Sequence, residues 1–253
     1  MRALILAAGR GTRISRYLSG RPKCTVDIGG ETLIEHTVKQ LRKAGINEIG
    51  IIVGYNQKAV REILREHQVS FFYNPFFDVT NSIASAWFAD RFIKNDDDII
   101  IMNGDVFIEN SLLDDILNEK VSPVLFSDSS RKEQADYKFY YEDNILKKYG
   151  KELSGKDVSG EYIGIARIGR EFIDTFKSSL DNMIEAQQHS LWWENALYEL
   201  SKDNDIYVRD VAGKFWAEVD YIEDYERILK FRNYDMKFNI DVCKHESSAG
   251  DIV

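Results

Sequence analysis

Cysteine is scarce in this chain: Cys24 and Cys243 are its only two, too few for a disulfide framework and without the spacing of a metal site. Such usage suits a reducing compartment, and the expected location is the cytoplasm. Long apolar runs are also missing, and no stretch approaches the ~20 residues needed to span a bilayer. The first apolar stretch, Ala3–Ala8, is six residues long, below the ~7–15 residues of a signal-peptide core. Internal repeats and low-complexity linkers are absent. Histidine is rare, with four residues in 253, which leaves few general bases of the usual kind. The net charge of −9 argues against nucleic acid or an anionic membrane as a partner, because both select a basic face.

One further absence is local. No acid precedes Asp27, whereas six basic residues do (Arg2, Arg10, Arg13, Arg16, Arg21 and Lys23), leaving 27 bases against 42 acids over residues 27–253. An acidic protein therefore opens on a segment of purely positive charge.

The length suffices for one large α/β domain with a sizeable core. ALIL at 3–6, EIGIIV at 48–53, VSFFY at 69–73 and the apolar part of 97–105 are expected to be strands. Leu33, Ile34, Thr37, Val38 and Leu41 recur at helical spacing and end at Gly45. Residues 57–67, 81–92, 170–182, 190–200 and 221–231 are further expected helices. This alternation predicts an α/β, Rossmann-like fold: a mostly parallel mixed sheet with helices on both faces. Shorter alternating segments over 120–166 suggest antiparallel strands, an elaboration that binds substrate as a lid. The expected division is a single domain over 1–231, nucleotide-binding to about residue 119 and acceptor-binding beyond it, with a polar tail at 232–253.

The basic segment follows the first strand, at the sheet edge where open α/β folds bind ligands. Gly9 and Gly11 allow close backbone approach, inward amides make a cradle for anions, and Arg13 and Lys23 add charge. The segment is neither a Walker loop nor a dinucleotide fingerprint. Ala7-Ala8-Gly9-Arg10-Gly11-Thr12-Arg13, followed by Pro22-Lys23, resembles the signature loop of nucleotidylyltransferases that couple an NTP to a sugar or alcohol phosphate. Val53-Gly54-Tyr55, Asn103-Gly104-Asp105 and Ala217-Glu218-Val219-Asp220 follow in that family's order. Pro-Lys-Cys and a Trp-rich late segment look most like the short bacterial phosphocholine-type cytidylyltransferases. The sugar-phosphate members' Leu-x-Pro-x-Thr continuation and hexapeptide tail are missing.

The resemblance implies roles. Leu6, Ala7, Ala8, Gly9, Gly11, Thr12, Gly54, Tyr55, Asn81 and Ser82 would bind the nucleotide. Arg13 would hold the triphosphate, and Lys23 would bridge the α-phosphate and acceptor. Asp105 and Asp220, with Glu218 beside them, would hold Mg²⁺, a cation that favours oxygen ligands. A substrate phosphate is already an anionic nucleophile, so transfer needs no general base, which agrees with the scarcity of histidine. Trp216, Trp192, Trp193 and Tyr162 are candidates for the acceptor side, since aromatic faces beside a carboxylate can hold an ammonium group. If 190–200 is helical, only one of Trp192 and Trp193 can face the site.

The expected substrates are an NTP, CTP by resemblance, and a phosphorylated amino alcohol, a phosphonate or a sugar phosphate. The aromatic segment 71–77 is a candidate homodimer contact. The alternatives are a sugar-1-phosphate uridylyl- or thymidylyltransferase and a non-catalytic nucleotide-binding regulator. A GT-A glycosyltransferase would show Asp-x-Asp where this chain has Asp105-Val106-Phe107. A molybdenum-cofactor guanylyltransferase shares the opening loop but fits the late Trp-Ala-Glu-Val-Asp pattern less well.

Overall fold

The structure, a computed structural model, describes residues 1–11, 18 and 20–233. Thr12, Arg13 and nearly all of the expected tail lie outside the described residues. The apolar runs become adjacent parallel strands: β1 (Arg2–Ala7), β2 (Glu48–Val53), β3 (Ser70–Tyr73) and β4 (Ile99–Asn103). α1 (Leu33–Lys43), α2 (Gln57–Ile63) and α3 (Ser82–Phe88) connect them. α1 starts where the Thr32 side chain accepts a hydrogen bond from the Glu35 amide, and it ends before Gly45, whose φ of +88° an L side chain would resist.

Alternation along β1 shows why both faces are covered. Ala3, Ile5 and Ala7 pack with Ile34 and Val38 of α1, while Leu4 packs on the other side with Ile83 and Ala86 of α3. The remaining elements are β5 (Val106–Ile108), α4 (Asn110–Asn118), β6 (Val124–Asp128), β7 (Lys138–Glu142), β8 (Ile145–Gly150), β9 (Gly160–Ile168), α5 (Ile173–Glu185), α6 (Asn195–Leu200), β10 (Tyr207–Asp210), β11 (Trp216–Glu218) and α7 (Ile222–Phe231). Nine strands form one mixed sheet in the order β3-β2-β1-β4-β9-β6-β10-β8-β7, and β5 pairs with β11 in a separate two-stranded sheet.

Three local expectations change. The 120–166 segments are not a separate lid: β9 enters the main sheet antiparallel to both β4 and β6, and only the β7–β8 hairpin carries the sheet outward. β9 is buried along its whole length, as a central strand must be. The expected helix over 81–92 stops at Phe88 and gives way to turns. Trp192 and Trp193 precede α6 in a turn rather than riding on a helix, because residues 189–193 extend across the start of α3, where Asn81 N and Ile83 N donate to His189 O and Leu191 O.

Candidate active site

Parallel packing brings the ends of β1, β2 and β4 to one edge. Leu6 stands opposite Asn103, and Ala7 opposite Val53. The loop leaving β1 is held close by two glycines. A Cβ on Gly54 would lie 2.7 Å from Ala8 O, and one on Gly104 would lie 2.7 Å from Leu6 O. Backbone carbonyls cannot yield to such contacts, so only glycine permits this spacing. Tyr55 N donates to Ala8 O at 3.0 Å, and the Arg10 guanidinium lies over the Tyr55 ring. Leu6, Ala8 and Gly9 line a crevice whose opposite wall includes Phe77, Asn81 and Ser82. Ala7 is buried beneath it. Asn81 caps α3, and Ser82 Oγ accepts a hydrogen bond from Trp193 N at 3.0 Å.

Below this crevice Lys23 meets the carboxylates. It opens a short 3-10 turn after Pro22, and its stem passes against Gly11, which has a φ of +66°. The ammonium pairs with Asp105 at 3.3 Å and, more closely, with Asp220. Burial lowers the affinity of Lys23 for its proton, but Asp105, Asp220 and Glu218 outweigh it and raise the pKa, so the group stays charged. Asp105 occupies the turn between β4 and β5. Asp220 follows β11, where the Asp224 carboxylate accepts from the amides of Asp220 and Tyr221 and fixes the entry to α7.

Oxygens of Asp105, Glu218 and Asp220 all lie within 4.8 Å of one another. Burial, followed by repulsion from Asp105 and Asp220, drives the Glu218 pKa well above the usual carboxylate range. Even with Glu218 holding its proton, Asp105 and Asp220 around one ammonium leave an excess of negative charge, and the cluster offers oxygen donors only. That chemistry fits a hard divalent cation such as Mg²⁺.

A second cavity opens beyond the carboxylates and shares Asn103, Trp192 and Glu218 with the crevice. Its far wall includes Tyr137, Glu161, Tyr162, Glu194 and Tyr198. Asn103 joins the two spaces, and its Oδ1 accepts a hydrogen bond at 3.0 Å from Trp193 Nε1. Glu194 is only 5 % exposed, and burial pushes its pKa up to about 7, with the Asn103 and Tyr162 side chains beside it.

The expected nucleotide residues within the described range gather at one edge, with Gly54 and Tyr55 buttressing the loop rather than lining the crevice. Of the aromatic candidates, Trp192 (40 % exposed) and Tyr162 line the second cavity. Trp193 and Trp216 do not. Trp193 is fully buried and braces Asn103. Trp216, 4 % exposed, is a core residue whose Nε1 donates to Asp128 Oδ2 at 2.8 Å, with the Arg131 guanidinium over its ring. Although residues two apart on a strand share a face, Trp216 turns into the core while Glu218 reaches the cavity. Sequence reasoning missed Asn103, Glu194, Tyr137 and Tyr198 as lining residues. Asn103 stood inside the quoted Asn-Gly-Asp motif, and Glu194 followed the paired tryptophans; the two tyrosines carried no local signal.

Comparison with known proteins speaks to family and fold. The family described as the MobA-like NTP transferase domain matches residues 3–148. The CTP:phosphoglutamine cytidylyltransferase of Campylobacter jejuni is 25 % identical over 253 aligned positions, covering 89 % of this chain and 98 % of that protein. The choline-phosphate cytidylyltransferase of Streptococcus pneumoniae is 28 % identical, covering 92 % of this chain and all of that protein. Among solved structures, the CTP:phosphocholine cytidylyltransferase from S. pneumoniae superposes with a TM-score of 0.74 at 22 % identity, covering 91 % of this chain and 98 % of that one. The inositol-1-phosphate CTP transferase from T. maritima also gives 0.74, at 17 % identity, covering 91 % and 96 %. Those two superpositions speak to the fold.

Proposed function

The chain belongs to the family of MobA-like NTP transferase domains, and on that premise we propose that it transfers a cytidylyl group from CTP to a small phosphate- or phosphonate-bearing acceptor, releasing pyrophosphate. The observation that carries this reading is the meeting of two spaces, the crevice beside the β1 loop and a polar cavity, over the Lys23, Asp105, Asp220 and Glu218 cluster. Bond making and bond breaking at one phosphorus require two substrates to converge on one set of charges, and this arrangement supplies that.

In the proposed reaction a non-bridging oxygen of the acceptor phosphate attacks the α-phosphorus of CTP. The new P–O bond forms as the bond to the pyrophosphate oxygen breaks, and the electron pair leaves with pyrophosphate. No proton is taken from the nucleophile, so no base is needed. The Lys23 ammonium stabilises charge on the transferring group, and the amides of the β1 loop and Arg13 receive the triphosphate. Asp105 and Asp220, with Glu218, would hold Mg²⁺, which supplies charge neutralisation on the phosphate oxygens. CTP is favoured among nucleotides because both nearly full-length relatives named above are cytidylyltransferases.

Pyrophosphate release with each of CTP, UTP, GTP, ATP and dTTP, crossed with amino-alcohol phosphates, aminoalkylphosphonates and glucose 1-phosphate, tests the reading. Turnover confined to CTP with one of the first two acceptor classes is the expected result. Turnover with UTP or dTTP and glucose 1-phosphate would replace it with sugar-nucleotide synthesis.

A further inference from the structure

Resting on the cytidylyl-transfer reading, we infer that the second cavity selects an acceptor whose cationic nitrogen carries N–H donors, and that Glu194 and Tyr162 are the residues that read it.

Two observations point to a hydrogen-bonding cation. Glu194 lies in the cavity wall at 5 % exposure, and no ion pair among the described residues involves it. Of the other carboxylates in that wall, Glu161 pairs with Arg131 at 2.7 Å, Asp136 with Lys151 at 2.8 Å and Asp220 with Lys23, while Glu218 belongs to the carboxylate cluster. Tyr162 lines the same cavity at 6 % exposure, and its hydroxyl oxygen is buried beside the Glu194 carboxyl group without a well-formed hydrogen bond to any described residue. A buried carboxyl group without a cation, beside a buried hydroxyl that makes no well-formed hydrogen bond among the described residues, is costly unless a ligand completes both. An ammonium group does so, donating one N–H to the carboxylate and another to the phenolic oxygen.

The same wall is poorly suited to a quaternary ammonium. Such a group has no N–H and is held by open aromatic faces. Here the faces are in use. Tyr198 stacks on Tyr149 at 4.2 Å and on Tyr137 at 5.9 Å, and Tyr162 stacks on Phe139 at 5.0 Å. Trp192 has the Lys151 ammonium over its ring at 5.7 Å. Trp193 and Trp216 are withdrawn into the core. What the cavity offers is oxygen.

A methylation series of one acceptor tests this. The full-length protein is assayed with CTP and Mg²⁺ against phosphoethanolamine, its N-methyl and N,N-dimethyl derivatives, and phosphocholine. Loss of charge-assisted hydrogen bonds should lower kcat/KM by about tenfold or more between phosphoethanolamine and phosphocholine. Tyr162→Phe keeps the stacked ring, and Glu194→Gln keeps the shape. In each, the preference should shrink through a higher KM for phosphoethanolamine, with the KM for CTP unchanged. Phosphocholine equal to or better than phosphoethanolamine overturns the inference, as does an unchanged preference in both variants. If no acceptor is turned over, calorimetry separates the two claims. CTP binding without phosphoethanolamine binding overturns the inference alone, and absence of CTP binding overturns the reading beneath it.

Discussion

At the scale of single residues, the site depends on a charge balance and on two missing Cβ atoms. Lys23 is held charged between Asp105 and Asp220. Lys23→Ala should therefore lower kcat by about 10²–10³-fold, with a smaller effect on CTP affinity, measured by steady-state pyrophosphate release. Gly54→Ala places a methyl 2.6 Å from Phe77 Cβ and 2.7 Å from Ala8 O. The β1 loop must then move away, and CTP binding measured by calorimetry should weaken by about tenfold or more. Trp216 supplies a contrast. Trp216→Phe leaves Asp128 Oδ2 without its donor, so stability should fall by about 1–3 kcal/mol in urea titration. The acceptor KM should be unmoved, because the ring does not reach the cavity. A raised acceptor KM would restore Trp216 to the acceptor wall.

At the scale of elements, the frame is tied together away from the chemistry. Glu31, just before α1, accepts from His36 at 2.9 Å and Lys39 at 3.1 Å on that helix, and from Arg232 beyond the end of α7 at 2.8 Å. Burial alone would raise its pKa; hydrogen bonds from His36, Lys39 and Arg232 reverse that and bring it from 4.5 down to about 2. A depressed carboxylate pKa contributes stability that is full above the unfolded value and is lost as pH falls through the folded one. Glu31→Gln should thus cost about 1–2 kcal/mol near pH 7. The gap from the parent chain should close as the pH is lowered from 4.5 toward about 2. Urea titrations at several pH values check the sign, and a gap that widens on acidification would refute it.

Elements also show what was legible in the sequence. The uninterrupted runs ALIL and EIGIIV and the apolar part of 97–105 identified buried parallel strands, because a strand covered on both faces has no polar alternation to hide it. Asp105 was legible because it followed such a run, whereas Asp220 and Glu218 were picked out by the order of motifs that the family resemblance supplied. The place of β9 was not: joining β4 and β6 is a long-range pairing that no local pattern records, so the stretch up to residue 166 read as part of a lid. Trp193 and Glu194 were misplaced for a related reason. Their turn is held by hydrogen bonds to α3, more than a hundred residues earlier, and helical periodicity cannot see them.

At the scale of the whole molecule, the uneven charge of the chain acquires a meaning. Arg10 and Lys23 of the acid-free opening segment and the carboxylates drawn from later segments converge on one edge of the sheet, where an anionic nucleotide and its metal would be received together. Chelation by EDTA should stop pyrophosphate release, and excess Mg²⁺ should restore it, while far-UV circular dichroism stays the same. The measurement that tests the central claim most directly is the configuration at the α-phosphorus of the product formed from chiral α-thio-CTP and phosphoethanolamine. Direct attack of the acceptor phosphate predicts a cytidylylated product with inverted configuration. Retention would require an enzyme-bound intermediate, and CTP binding without any product would leave a nucleotide-binding protein that does not transfer; either result contradicts the account.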